Sequence, residues 1–158
     1  VSFENFCSAW AEDFGGTEHE IKEIYEAIKL PRRATSGSAG YDIYSPVDFK
    51  LEPGRTLKIP TGIRCEIDEG WVLKVYPRSG LGFKFRLQLN NTVGVIDSDY
   101  RGEITVVLYN HGTSSQTIEN GERVAQFIIT PVLTPAYVEV SELSDTQRSS
   151  GGFGSTGK

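Results

Sequence analysis

The sequence predicts an all-β protein, a sandwich or barrel of short strands, with a helical segment in front and an irregular tail behind. Three observations carry this expectation. From Ala39 onward, β-rich runs recur every eight to twelve residues between turn residues. Residues 1–30 instead show helical periodicity. After Leu143 the chain turns to Ser, Thr, Gly and Gln with one Phe, too little apolar surface to order itself.

Phe3, Phe6, Cys7 and Trp10 fall at i, i+3, i+4 and i+7, an amphipathic helical stripe broken by Asp13-Phe14-Gly15-Gly16. Thr17-Glu18-His19-Glu20 has capping-box spacing, and Ile21, Ile24, Tyr25 and Ile28 follow on one face until Pro31. Both stripes read as packing surface. Strands are then expected at Tyr41–Ser45, Thr56–Ile59, Gly62–Ile67, Trp71–Tyr76, Phe85–Leu89, Glu103–Tyr109, Gln116–Ile118, Arg123–Thr130 and Ala136–Val140. Their separators are turn-formers such as Ser45-Pro46, Glu52-Pro53-Gly54 and Glu119-Asn120-Gly121.

At 158 residues the chain is most simply one domain with a real core. A net charge of −5 argues against a protein that coats nucleic acid, which would show a basic face. No run approaches the roughly 18 apolar residues of a membrane helix. Cys7 and Cys65 fit no metal or redox spacing, and His19 and His111 stand alone, so a protein-only zinc site is not expected. Residues 1–30 carry seven acids against two lysines, unlike a transit or signal peptide. An intracellular, cytoplasmic location is expected, nuclear in a eukaryotic or viral setting.

Chemistry concentrates in four glycine-rich stretches and the tail. In "PRSGLG" (77–82), Arg78 offers a charged fork, Ser79 a hydroxyl and Gly80 and Gly82 unobstructed amides, the parts of a phosphate site or of a capped turn. "GVIDSDYRGE" (94–103) reads as a hairpin tip between Val93–Ile96 and Glu103–Leu108. Asp97 there is either turn chemistry or a half-buried carboxylate able to act as general base. "SGSAGYDIYS" (36–45) and "GERVAQ" (121–126) repeat the pattern. In the tail, Gly152, Gly157 and Lys158 nearly spell a P-loop, but no parallel sheet is in prospect to carry one.

Taken together, "AGYDIYS" (39–45), "PRSGLG", "GVIDSDYRGE", "GERVAQ" and "RSSGGFGSTG" (148–157) resemble, in order and spacing, the five motifs of the trimeric dUTP pyrophosphatases. The resemblance covers about residues 30–158. It implies a dUTPase-like distorted β-barrel or jelly roll over 30–143, a C-terminal arm at 144–158, and a helical appendage or linker at 1–29 outside the family pattern. The implied reaction is Mg²⁺-dependent hydrolysis of dUTP to dUMP and pyrophosphate at the α-phosphorus, limiting uracil in DNA and supplying dUMP for dTMP synthesis.

The resemblance also assigns residues. Asp97 would activate the water, and Tyr100 would lie under the deoxyribose and leave no room for a 2′-hydroxyl. Backbone groups from Asn91 through Gly94, Val95 and Ile96 would read uracil, with Phe153 stacking on it. Arg78, Ser79, Gly80, Gln126, Arg148, Gly154, Ser155 and Thr156 would hold phosphates. Asp42 would reach Mg²⁺ through water, the metal resting mainly on the triphosphate, and Arg123 would pair structurally with an acid such as Asp42. Each site would be shared within a homotrimer, the arm arriving from a neighbour. Neither nucleic acid nor membrane is an expected partner, whereas residues 1–29 could dock an extra one.

One departure bears on the arm: Ser149-Ser150 stands where the family commonly has Gly and a polar or acidic residue. Losing that Gly biases the backbone, because Gly takes positive φ at little cost. Two alternatives remain open at this stage, a dCTP deaminase-like enzyme and a nucleotide-sensing binding protein.

Overall fold

The computed structural model describes residues 1–152. Two helices lead, α1 (Phe3–Phe14) and α2 (Glu18–Glu26), and nine strands follow. The strands are β1 (Tyr41–Tyr44), β2 (Phe49–Leu51), β3 (Thr56–Pro60), β4 (Trp71–Tyr76), β5 (Leu87–Leu89), β6 (Gly94–Ile96), β7 (Thr105–Asn110), β8 (Gln116–Ile118) and β9 (Arg123–Pro131). A third helix, α3 (Ser79–Phe85), sits between β4 and β5. All pairings between these strands are antiparallel, in sheets ordered β1-β9-β4-β6, β3-β7-β5 and β2-β8. The fold is all-β.

Alternation fixes which face of each strand is buried. On β7, Val106, Leu108 and Asn110 point inward, and on β9 Ala125 and Phe127 do. They join Ile43, Ile59, Leu73 and Ile118 in one core between the sheets. Asn110 is fully buried without penalty: its amide donates to the Leu51 and Ser114 carbonyls, both at 3.0 Å, and its carbonyl accepts from Gly112 N–H.

The leading helices form as their sequence predicts. Thr17 and Glu20 close a reciprocal capping box on α2. Their apolar stripes build a second cluster, with Phe6, Trp10 and Ile21 buried and Ile24, Tyr25 and Ile28 around them. This cluster rests on Val47 and Phe49 of the β region, and Lys58 on β3 pairs with Asp13 at 2.6 Å.

Four expectations need correction. Residues 62–67 form no strand: Gly62 turns to φ +70, and Thr61 Oγ1 and the Glu103 carboxylate take backbone partners that a ladder would have used. Residues 136–140 form no strand either: the segment lies exposed and buries no apolar face against a sheet, with Tyr137 fully exposed. The expected strand at 85–89 shortens to Leu87–Leu89, because Ser79–Phe85 is helical and Arg86 ends that helix in the left-handed region at φ +57. Finally, β6 does not pair with β7. It pairs with β4, while β7 lies between β3 and β5, so the segment 97–104 crosses from one sheet to another.

Candidate active site

Asp42 on β1 lies opposite Gln126 on β9, beside a register shift between Ile43 and Tyr44 that brings Arg123 alongside. The buried Asp42 carboxylate holds two guanidinium groups, Arg78 Nη1 at 3.0 Å and Arg123 Nη1 at 3.3 Å. One carboxylate between two cations leaves a local excess of positive charge. Arg78 Nη1 is buried with this ionic contact but no well-angled hydrogen bond. Gln126 donates to the Pro77 carbonyl at 3.2 Å. A Cβ at Gly40 would come within 2.6 Å of the Gln126 side-chain oxygen, so glycine there permits the close approach.

These groups border a cleft of about 640 Å³ lined by Arg78, Ser79, Gln126, Tyr76, Phe83 and Leu89. Gly80 lies in an adjoining concavity that also contains Arg78 and Arg123. Arg78, Ser79, Gly80 and Gln126 of the phosphate set named from sequence therefore lie at one corner of the molecule, whereas Arg148 lines neither concavity. Phe83, 93% exposed at the cleft wall, was not legible in the sequence, because helix α3 that presents it was not expected.

A second, smaller hollow of about 140 Å³ is formed by Val75, Asn91, Gly94, Val95, Ile96 and Thr105, among others. Gly94 allows β6 to lie close on β4: a Cβ would stand 3.2 Å from Val75 Cβ. Before it, Thr92 takes φ +67 and Val93 N–H donates to the Asn91 carbonyl at 2.7 Å, a tight turn. Asp97 and Tyr100 follow in a turn closed by Tyr100 N–H to the Asp97 carbonyl at 3.1 Å. The Tyr100 hydroxyl donates to the Glu103 carbonyl at 3.0 Å.

Asp97 is exposed rather than half-buried, because β6 is an edge strand and the turn after it projects outward. Neither Asp97 nor Tyr100 lines the cleft or the small hollow. The cleft and the small hollow share Leu89. Asp97, by contrast, follows Ile96, which pairs with Leu73, and Arg78 lies five residues further along the chain from Leu73. Asp97 and Arg78 are therefore apart within one chain.

Of the arm, Arg148 is exposed and its Nε donates to the Gly151 carbonyl at 2.8 Å. Ser149 adopts φ +46, the conformation glycine accepts freely. Phe153, Gly154, Ser155 and Thr156 lie outside the described residues. Among the described residues no three His, Cys, Asp or Glu side chains converge as metal ligands. Asp42, a single carboxylate beside two arginines, fits a Mg²⁺ ion carried by substrate phosphates rather than by a protein cage.

Comparison with known proteins gives the family and the fold. The dUTPase family model matches residues 26–157. A deoxyuridine 5′-triphosphate nucleotidohydrolase of Nautilia profundicola is 46% identical over 139 residues, covering 88% of this chain and 98% of that protein. The dUTPase of Staphylococcus bacteriophage 80alpha, solved as a mutant with dUpNHpp, superposes with a TM-score of 0.79 at 29% identity, covering 86% of this chain and 96% of that one. A mutant dUTPase from phage phi11 of S. aureus, whose structure details the coordination of a structural Mg(II) ion, gives 0.71 at 26% identity over 78% of this chain and 96% of that one.

Proposed function

The chain belongs to the dUTPase family, and we propose that it cleaves dUTP to dUMP and pyrophosphate with Mg²⁺, limiting uracil in DNA and supplying dUMP for dTMP synthesis. It is an enzyme of the dUTP diphosphatase class. The observation that carries the finer reading is the corner where Asp42 holds Arg78 and Arg123 beside Gln126 and Ser79. Two guanidinium groups on one carboxylate, Arg78 at the cleft and Arg123 in the adjoining concavity, suit an anionic triphosphate.

In this reading Asp97 orients a water and takes its proton as the water oxygen bonds to the α-phosphorus. The bond from that phosphorus to the bridging oxygen breaks, and pyrophosphate leaves. Arg78, Ser79, Gly80 and Gln126 bind the phosphates, joined by Arg148, Gly154, Ser155 and Thr156 of the arm. Asp42 would hold Mg²⁺ through water, where the ion neutralises phosphate charge. Arg123 steadies Asp42. Backbone groups of Asn91, Gly94, Val95 and Ile96 read uracil, Phe153 stacks on it, and Tyr100 lies under the sugar.

The working enzyme is a homotrimer with shared sites. Its support is twofold: Asp97 and Arg78 are apart within one chain, and apolar side chains after β9 stand uncovered. Leu133 is 90% exposed and Leu143 87% exposed, apolar surface that a neighbouring subunit would bury. Residues 1–29 form an accessory unit, 30–143 the β domain and 144–158 the arm.

The test is Asp97→Asn. It should retain nucleotide binding and lose about 10²- to 10⁴-fold in kcat, the usual weight of a general base. Unchanged turnover would remove Asp97 from that role.

A further inference from the structure

We propose that the N-terminal helical pair positions Tyr100, so that the segment ahead of the strands, up to Ile28, sets how strictly the site rejects a 2′-hydroxyl. This rests on the reading above, in which Tyr100 lies under the deoxyribose.

The connection runs through Gly62. The side chain of Ile28, two residues beyond the end of α2, occupies the space a Cβ on Gly62 would need. The Val1 main-chain nitrogen donates to the Gly62 carbonyl at 3.2 Å, and the Tyr25 hydroxyl on α2 donates to the Val1 carbonyl at 2.7 Å. The ion pair between Asp13 on α1 and Lys58 on β3 anchors the unit four residues before Gly62. Gly62 is buried and held at φ +70, so its peptide groups have a fixed direction.

From Gly62 the contact passes to the sugar loop. Gly62 N–H donates to the Glu103 carboxylate at 2.7 Å, and the Glu103 carbonyl accepts the Tyr100 hydroxyl at 3.0 Å. Ile104 N–H donates to the Ile63 carbonyl at 2.9 Å, which keeps the two segments in register. Tyr100 itself is 43% exposed, and its ring lies over Gly102, in the space a Cβ there would need, so it is held by the segment 102–103. Its placement therefore depends on where Glu103 stands, and Glu103 stands against Gly62. Glu103 and Ile28 are positioning residues: neither touches substrate.

The experiment measures kcat and KM for dUTP and for UTP, with Mg²⁺, in the full chain carrying Glu103→Ala, Glu103→Gln, Ile28→Ala or Tyr100→Ala. Glu103→Ala should raise the UTP-to-dUTP ratio of kcat/KM by about three- to tenfold, the range of one lost hydrogen bond, chiefly through KM. Ile28→Ala should move it in the same direction and serves alone if Glu103→Ala does not fold. Glu103→Gln keeps an acceptor for Gly62 and should restore selectivity. If Tyr100→Ala relaxes UTP rejection while Glu103→Ala and Ile28→Ala do not, the helical pair has no such role. If Tyr100→Ala leaves rejection intact, the sugar contact lies elsewhere and this inference falls with it.

Discussion

Ser149 shows how one residue can carry a readable cost. An L-residue held at positive φ pays about 1–2 kcal/mol that glycine does not. Ser149 sits there at φ +46, with its N–H on the Thr146 carbonyl and hydroxyl oxygens. Ser149→Gly should raise kcat/KM for dUTP by about threefold, part of the relief being lost to glycine's greater freedom when open. A fall in kcat/KM would show that the serine is favoured at this turn. This strain was legible in the sequence, because the family pattern places Gly where Ser149 stands. Asp42 and Arg123 were legible as a pair for a similar reason, charge beside charge in two motifs. The exposure of Asp97 was not: burial depends on what covers an edge strand, and a single sequence does not name the cover.

The elements divide along the same line. Helix α2 was legible down to its first turn, where the cap is local chemistry. The Glu20 carboxyl is held below the usual 4.5, first by the Thr17 backbone N–H and then by its hydroxyl. A carboxylate whose folded value is depressed stabilises fully above its unfolded value and loses that contribution as pH falls through the folded one. Glu20→Gln should therefore lower Tm at pH 7 and make no difference once pH is well below 4.5; a gap that persists in acid would show the charge is irrelevant to the cap. Helix α3 was hidden by Gly80 and Gly82, which depress helix propensity. It forms because Leu81 is buried and Arg86 closes its end. The pairing of β6 with β4 rather than β7 was equally out of reach, since adjacency in sequence does not fix strand order.

For the whole molecule, charge is unevenly placed. Residues 1–29 hold seven acids and two lysines, the entire net charge of −5, and the rest of the chain carries fourteen charges of each sign. The β domain thus presents its arginines to an anionic substrate without net self-repulsion, and the acidic excess sits on the helical unit. The all-β class and the motif order were plain from the sequence, whereas the separation of Arg78 from Asp97 required the register of β6 on β4. That separation predicts complementation. Co-expressed Asp97→Asn and Arg78→Ala chains should form mixed trimers with measurable turnover, each variant alone being nearly inactive. No recovery in verified mixed trimers would place both residues of a site on one chain.

The central claim, hydrolysis of dUTP to dUMP and pyrophosphate, is met most directly by a substrate panel. The protein is given dUTP, dCTP, dTTP and UTP in turn with Mg²⁺, and pyrophosphate and ammonia are assayed. Pyrophosphate from dUTP, with none from the other three and no ammonia from any, is the predicted result. Ammonia from dCTP, or no pyrophosphate from dUTP, would contradict it.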